Sequence, residues 1–519
     1  MENSQKLDNE SLTEFANRLA SIYNKQNTKT LKKGKGQFFT PASVAKFMAS
    51  LTDFAKEDIN ILDPGAGVGI LSIAIIEELL KASKIKKINL VCYETDNEVV
   101  PYLKQLLEET KKYLDGKISF KYSILNKDFI SSNANLLVTN QDAKNVVKPL
   151  LFDVVIANPP YFKISKSSLP LAKFKDIISG QPNMYYLFMA ISAKLLNEDG
   201  QMIFITPRSF CSGLYYNKFR KWLIEQVNFA NIHSFHSRRE LFANENVLQE
   251  NIITKFIKKD QDRIIISKTL NGDFSNIQKI KVLKKDVIYR SNGHIFFRIP
   301  SNEQELGVIR RLDTLPYNFY KLGIKVSTGK VVAFRNKPHL QNSISKDSVP
   351  LLWMHNIRNG KIEWPIDKKG KAIAIKNNEM TKWLLLECGN YLVIKRFAAK
   401  EQKKRFRTAC IFEEDFKNYQ YFALDNMINY IYSPDKKLNK NHIKGISRYL
   451  NLPIVDLYFR VLNGHTQVNA NEIYSLPFPS MQELENLGKN ENVVFKLRNN
   501  QIIATEIKQN VPVLKEIQA

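Results

Sequence analysis

Leu12, Phe15, Leu19 and Ile22 recur at helical spacing across residues 11 to 24, so the chain opens on an amphipathic helix that needs a domain to pack against. Apolar runs then follow one another as strands: Asn60-Ile61-Leu62, Ile88 to Tyr93, Ile118 to Ile124, Phe152 to Ala157, Met202 to Ile205, Phe229 to Ser234 and Ile252 to Ile257. Helical patterns lie between them near 68 to 82, 97 to 113, 183 to 197 and 215 to 226. Continuous apolar strands separated by amphipathic helices argue for an α/β fold, a doubly wound and mostly parallel sheet of seven strands. After about residue 258 the alternation becomes irregular, and Lys258-Lys259-Asp260-Gln261-Asp262 opens a polar stretch. The expected division is a first domain over 1–265 and a second, α+β domain over 266–519, with the boundary between 260 and 295.

With 519 residues, two or three domains are the expectation. The charge balance changes the picture more. Lys and Arg number 77 against 51 Asp and Glu, a formal net charge of +26, which points to a polyanionic partner. Nucleic acid leads, with an anionic membrane second. The first residues lack the layout of a secretory signal, and the longest apolar stretches, such as Ile70 to Ile76, are too short to span a bilayer, so a cytoplasmic protein is expected. Cys92, Cys211, Cys388 and Cys410 stand singly, as reduced structural thiols do. His233 and His236 form an isolated HxxH with no acid or cysteine cluster beside it, so no metal site is expected.

Val154-Val155-Ile156-Ala157-Asn158-Pro159-Pro160-Tyr161 runs from an apolar strand straight into an amide, two prolines and a ring. Neither proline donates a backbone N–H, so the turn is rigid and its carbonyls stay available. Asn158 adds a side-chain acceptor and Tyr161 a flat surface, a corner suited to a planar exocyclic amine. Asp63-Pro64-Gly65-Ala66-Gly67-Val68-Gly69 follows the first strand, where glycines let a ligand approach the backbone. Glu94 ends the second strand, where a carboxylate can accept both hydroxyls of a ribose, and Asp128-Phe129 follows the third, an acceptor beside a ring for an adenine. Each acid alone reads as a solvated strand-end residue; their order along consecutive strands ties them to one ligand. The spacing departs from the dinucleotide fingerprint and no P-loop lysine follows, which favours an adenosine compound other than NAD or ATP.

Taken in order, Gly36-Gln37-Phe38-Phe39-Thr40-Pro41, Asp63-Pro64-Gly65-Ala66-Gly67, Glu94, Asp128-Phe129 and Asn158-Pro159-Pro160-Tyr161 resemble the gamma-arranged DNA adenine-N6 methyltransferases of bacterial restriction–modification systems, across essentially the whole chain. The resemblance implies a Rossmann-like catalytic domain and S-adenosyl-L-methionine as cofactor. Its binding residues would be Phe38, Thr40, Pro41, Asp63, Gly65, Gly67, Glu94, Asp128, Phe129 and Asn158. Phe38, Thr40 and Pro41 would close over the methionine end. It implies catalysis by Asn158, Pro159, Pro160 and Tyr161 on an adenine flipped out of double-stranded DNA, with Tyr161 and Phe242 stacking on that base and Phe235 close by in sequence.

Basic clusters interleaved with aromatics suit the second domain to target recognition. Arg335, Lys395, Arg396, Lys403, Lys404, Arg405 and Arg407 are the DNA-binding candidates. The resemblance also implies a cognate restriction endonuclease acting on the same site without a stable complex, and no membrane partner. Competing readings are a methyltransferase for RNA or protein glutamine, a bifunctional restriction–methylation enzyme, and a noncatalytic specificity protein. Against the bifunctional reading, 35 residues precede Gly36, too few for an N-terminal nuclease domain, and the Glu401-Gln402-Lys403 triplet is common in basic stretches.

Overall fold

The computed structural model describes residues 5–26, 39–82, 84–137, 149–164, 171–180, 182–235, 250–269, 274–398, 402–464, 466–489, 493–498 and 501–506. Compactness divides the chain into one unit of Met1–Arg290 with His294–Glu303 and another of Ser291–Gly293 with Gln304–Ala519.

The first unit is built on β1 (Asp58–Asp63), β2 (Lys87–Tyr93), β3 (Ser119–Leu125), β4 (Phe152–Ala157), β5 (Leu196–Pro207), β6 (Asn228–Phe235), β7 (Asn251–Ile257), β8 (Arg263–Thr269) and β9 (Ile277–Leu283), in the order β3-β2-β1-β4-β5-β7-β6-β8-β9. Nine strands therefore stand where seven were expected. The seven expected strands are all present; β8 and β9 continue the sheet beyond β6. The signal of β9 was weak because it lies at the edge with little buried surface, its Lys279 and Lys281 exposed, whereas β8 carries the apolar run Ile264-Ile265-Ile266 that the alternation had not included. Neighbours β3, β2, β1, β4 and β5 pair in parallel, whereas β7 runs antiparallel between β5 and β6.

All six residues of β4 are buried, apolar except for Asp153, whose carboxylate is satisfied by Lys56, the Asn60 N–H and Asn197. The register pairs Asp63 with Cys92, Cys92 with Ile124 and Leu62 with Val155, so the carboxyl ends of β1 to β4 lie along one edge. The chain leaves β1 towards β2 on one side and reaches β4 on the other, a topological switch point that opens a crevice between them. The helix Leu12–Gln26 buries Leu12, Phe15, Ala16, Leu19 and Tyr23. It is pinned to the helix Ile70–Leu80 by hydrogen bonds from the Thr13 backbone N–H and hydroxyl to Glu77.

The second unit carries a four-stranded antiparallel sheet of Lys325–Thr328, Ile428–Tyr432, Tyr391–Lys395 and Thr408–Ile411, and a five-stranded one centred on Ser348–Leu352. The helices Lys440–Leu450, Pro453–Leu462 and Met481–Lys489 follow. No helix of the described residues is long and apolar enough to cross a membrane.

Candidate active site

A cleft of about 590 Å³ opens at the carboxyl ends of β1 to β4. Its floor is the glycine turn. Gly67 (φ 54°) and Gly69 (φ 94°) take a left-handed backbone that strains other residues, and a Cβ on Gly67 would come within 3.0 Å of the Phe39 ring. Gly69 caps the helix Ile70–Leu80, whose amino end is thereby brought to the cleft.

Glu94 organises the wall beside this turn. Its carboxylate is buried and accepts the backbone N–H of Gly67 at 2.8 Å on one oxygen and that of Asp96 at 2.8 Å on the other. A carboxylate has about four lone-pair sites, so acceptor capacity remains on both oxygens. Burial holds its pKa above the usual carboxylate range, offset in part by the two N–H donors. Asp96, also on the wall, accepts a hydrogen bond from the Tyr23 hydroxyl at 3.0 Å, which ties the N-terminal helix to the site. Asp128 caps the helix Phe129–Asn133, accepting from Ser131 N–H at 2.6 Å, and lines the cleft with Lys127 and Phe129. Phe129 is held between the Tyr93 and Phe188 rings, both at 5.1 Å.

The corner after β4 contributes Asn158 and Pro160 to the same cleft. The Asn158 amide nitrogen donates to Thr40 Oγ1 at 3.1 Å, and the Tyr161 hydroxyl donates to Asn158 Oδ1 at 2.8 Å while lying 3.1 Å from the Ile205 carbonyl. The amide orientation follows from this network. Burial pushes the Tyr161 phenol well above its ordinary range, so it acts as a hydrogen-bond donor rather than a base. Its ring meets Tyr185 edge-on at 6.3 Å.

Thr40, Gly65, Gly67, Glu94, Asp128, Phe129, Asn158 and Pro160 are thus brought together at one cleft. Asp63 does not face it. Its side chain points into the protein, fully buried, where Ser72 Oγ donates to it at 2.7 Å. Pro41 caps the helix Ala42–Ser50 and, like Pro159 and Tyr161, lies outside the lining. Phe38, Phe242, His236 and Glu401 lie outside the described residues. Phe235 is buried against His233 and Phe274 and serves the core. His233 shares a hydrogen bond with Ser267 at 2.8 Å, and burial pushes its pKa down to about 3, the state of a neutral core imidazole. Phe39, Tyr93, Asp96, Met184 and Phe188 line the site and were missed from sequence. A Phe-Phe doublet and an acid two residues after Glu94 were the available signals for Phe39 and Asp96.

In the second unit Arg335, Lys403, Lys404 and Arg407 are exposed, and Lys395 and Arg396 are half-buried. Arg405 is a correction. It is 1% exposed, donating to the Ala398 carbonyl at 2.7 Å and to Asn463 Oδ1 at 2.9 Å, so it braces the unit and cannot reach a phosphate.

The model of the Eco57I restriction-modification methylase family matches residues 73–242. The type II methyltransferase M.PstI of Providencia stuartii is 35% identical over 463 residues, covering 88% of this chain and 89% of that protein. M.BsuBI of Bacillus subtilis, another type II methyltransferase, is 34% identical over 460 residues, with 88% and 89% covered. Among solved structures, the DrdV–DNA complex is similar in fold, with a TM-score of 0.50 at 14% identity over 94% of this chain and 60% of that one.

Proposed function

The chain belongs to the type II DNA methyltransferases of restriction–modification systems, and from that premise we propose that it methylates N6 of a flipped-out adenine in double-stranded DNA, using S-adenosyl-L-methionine. The observation that carries this reading is the Asn158 amide, set at the end of β4 on the cleft wall with its nitrogen held by Thr40 and its oxygen turned towards Tyr161. An adenine amino group is a poor nucleophile because its lone pair is delocalised into the ring. Asn158 Oδ1 and the Pro159 backbone carbonyl, accepting its two hydrogens, would localise that pair on nitrogen. The Ile205 carbonyl offers the Tyr161 hydrogen an alternative acceptor, so Tyr161 can yield Oδ1 to a substrate amine. This is catalysis by orientation and placed dipoles.

The cleft suits the proposed cofactor: Glu94 keeps spare acceptor capacity for a vicinal diol, Asp128 offers an acceptor for an adenine amine, and Gly67 leaves the space a Cβ would fill. When bound, the cofactor supplies an electrophilic methyl group. Thr40, Gly65, Gly67, Glu94, Asp128 and Phe129 would hold it, with Phe38 and Pro41 closing the methionine end. Flipping costs a few kcal/mol, and stacking on Tyr161 and Phe242 at about 1–3 kcal/mol per base would offset part of it. The second unit would recognise the target. In the cytoplasm of its host the protein would guard DNA against a cognate endonuclease.

Expression in an unmodified bacterial host, followed by sequencing that detects N6-methyladenine, tests the activity and maps the site. Labelled methyl groups should enter DNA and not RNA or protein. Asn158→Ala should lower transfer by about 10²–10³-fold or more while cofactor binding stays measurable; near-normal turnover would overturn the mechanism.

A further inference from the structure

Two short turns of the second unit present large apolar side chains to solvent: Phe334 is 78% exposed, Met380 71% and Trp383 63%. Both turns are braced. Across Val332–Asn336, the Val332 N–H donates to Asn336 Oδ1 at 3.0 Å, and the N–H groups of Arg335 and Asn336 both reach the Val332 carbonyl at 3.0 Å. In the other turn, Asn378 Oδ1 accepts from the N–H groups of Met380 at 3.1 Å and Thr381 at 3.2 Å, while Thr381 Oγ1 donates to the Lys376 carbonyl at 2.6 Å. The apolar side chains are therefore held outward by closed turns rather than left out by slack loops, which lowers the entropy lost when they bind something.

The turns also meet. The Lys330 ammonium donates to the Trp383 carbonyl at 2.8 Å, and Val331, Ala333 and Leu384 share one apolar cluster. Entry into the first turn requires Gly329, where a Cβ would stand 2.2 Å from the Asp425 carbonyl oxygen. Around the aromatics, Lys330, Arg335, Lys337, Lys376 and Lys382 are exposed, with Glu379 and Asp347 the exposed acids beside them. The Arg335 guanidinium lies 5.3 Å from the Phe334 ring centroid. Cores of protein–protein interfaces are depleted of charge, whereas surfaces that bind nucleic acid combine cations with aromatic faces.

We infer that this surface binds double-stranded DNA, with the cations on phosphates and Phe334, Met380 and Trp383 against sugars and base edges in a groove. The assignment goes beyond the methyl-transfer reading and rests on its DNA substrate. Of the cations picked out from sequence, Arg335 alone belongs to it.

The test compares the full-length chain with two double variants, Phe334→Ser with Trp383→Ser, and Arg335→Ala with Lys382→Ala. The probe is sheared chromosomal DNA from an unmodified host, with methyl incorporation and binding measured across a salt series. All the substituted side chains are exposed, and unchanged Tm and S-adenosyl-L-methionine affinity report intact folding. The aromatic pair should raise the DNA KM and Kd tenfold or more at an unchanged salt slope. The cation pair should reduce that slope by about one to two. Wild-type KM, Kd and slope in both variants would overturn the assignment, as would an effect confined to self-association. A wild-type chain that binds DNA through this surface yet transfers no methyl group would sink the catalytic reading and leave the surface standing.

Discussion

Asp63 closes β1 with its carboxyl fully buried, and desolvation pushes its pKa up to about 7 from an ordinary 3.8, partly opposed by the Ser72 hydrogen bond. The native state therefore keeps a proton that the unfolded chain has lost between about pH 4 and 7. This group favours folding most at low pH, and its contribution is lost as pH rises through 7. Asp63→Asn, which cannot ionise, should gain Tm relative to the wild type as pH goes from 5 to 8, measured by thermal unfolding; a constant difference would refute the burial argument. Arg405 makes a complementary case. Arg405→Ala would remove the hydrogen bonds to the Ala398 carbonyl and Asn463 Oδ1 inside the second unit, at a cost on the order of 3 kcal/mol, and should lower Tm without changing the salt slope of DNA binding. A weakened salt slope at unchanged Tm would instead make it a phosphate contact.

Helices Lys440–Leu450 and Met481–Lys489 cross so closely that a Cβ on Gly445 would sit 1.8 Å from the Leu484 carbonyl oxygen, and one on Gly488 1.8 Å from that of Asn441. The pairings 441 with 488 and 445 with 484 make the crossing antiparallel. Substituting alanine at either glycine must push the backbones apart, costing about 2–3 kcal/mol, although alanine is the better helix former by about 1 kcal/mol. Chemical denaturation of Gly445→Ala and Gly488→Ala checks this; a stabilised variant would contradict the geometry. The glycine turn after β1 obeys the same logic at two contacts, with Gly67 giving room to the Phe39 ring at the cleft and Gly69 to Leu103 and Leu106 of the helix Val100–Leu114.

Across the whole molecule, a net charge of +26 predicts DNA affinity that falls steeply with salt, by about 0.9 log units per neutralised phosphate for each decade of salt. A titration from 50 to 200 mM salt should give a slope steeper than about −4; a flat response would rule out extensive phosphate contact. Much of the site was legible in the sequence, since Glu94 and Asn158 follow directly on β2 and β4, and Gly67 and Asp128 come within four residues of the ends of β1 and β3. A strand's end fixes the position of the residue after it. Less legible were β9, whose largely exposed pattern resembles that of a loop region, and Phe39, Asp96 and Phe188, which reach the cleft through packing. By itself, then, the sequence determined the strand-by-strand order of the chemistry and the polyanionic partner, because both are carried by local residue pattern and total charge. The tertiary structure alone decided that Asp63 turns inward, that Arg405 is buried, and that the turns bearing Phe334 and Trp383 meet. Those outcomes depend on contacts between segments distant in the chain, which no local spacing encodes.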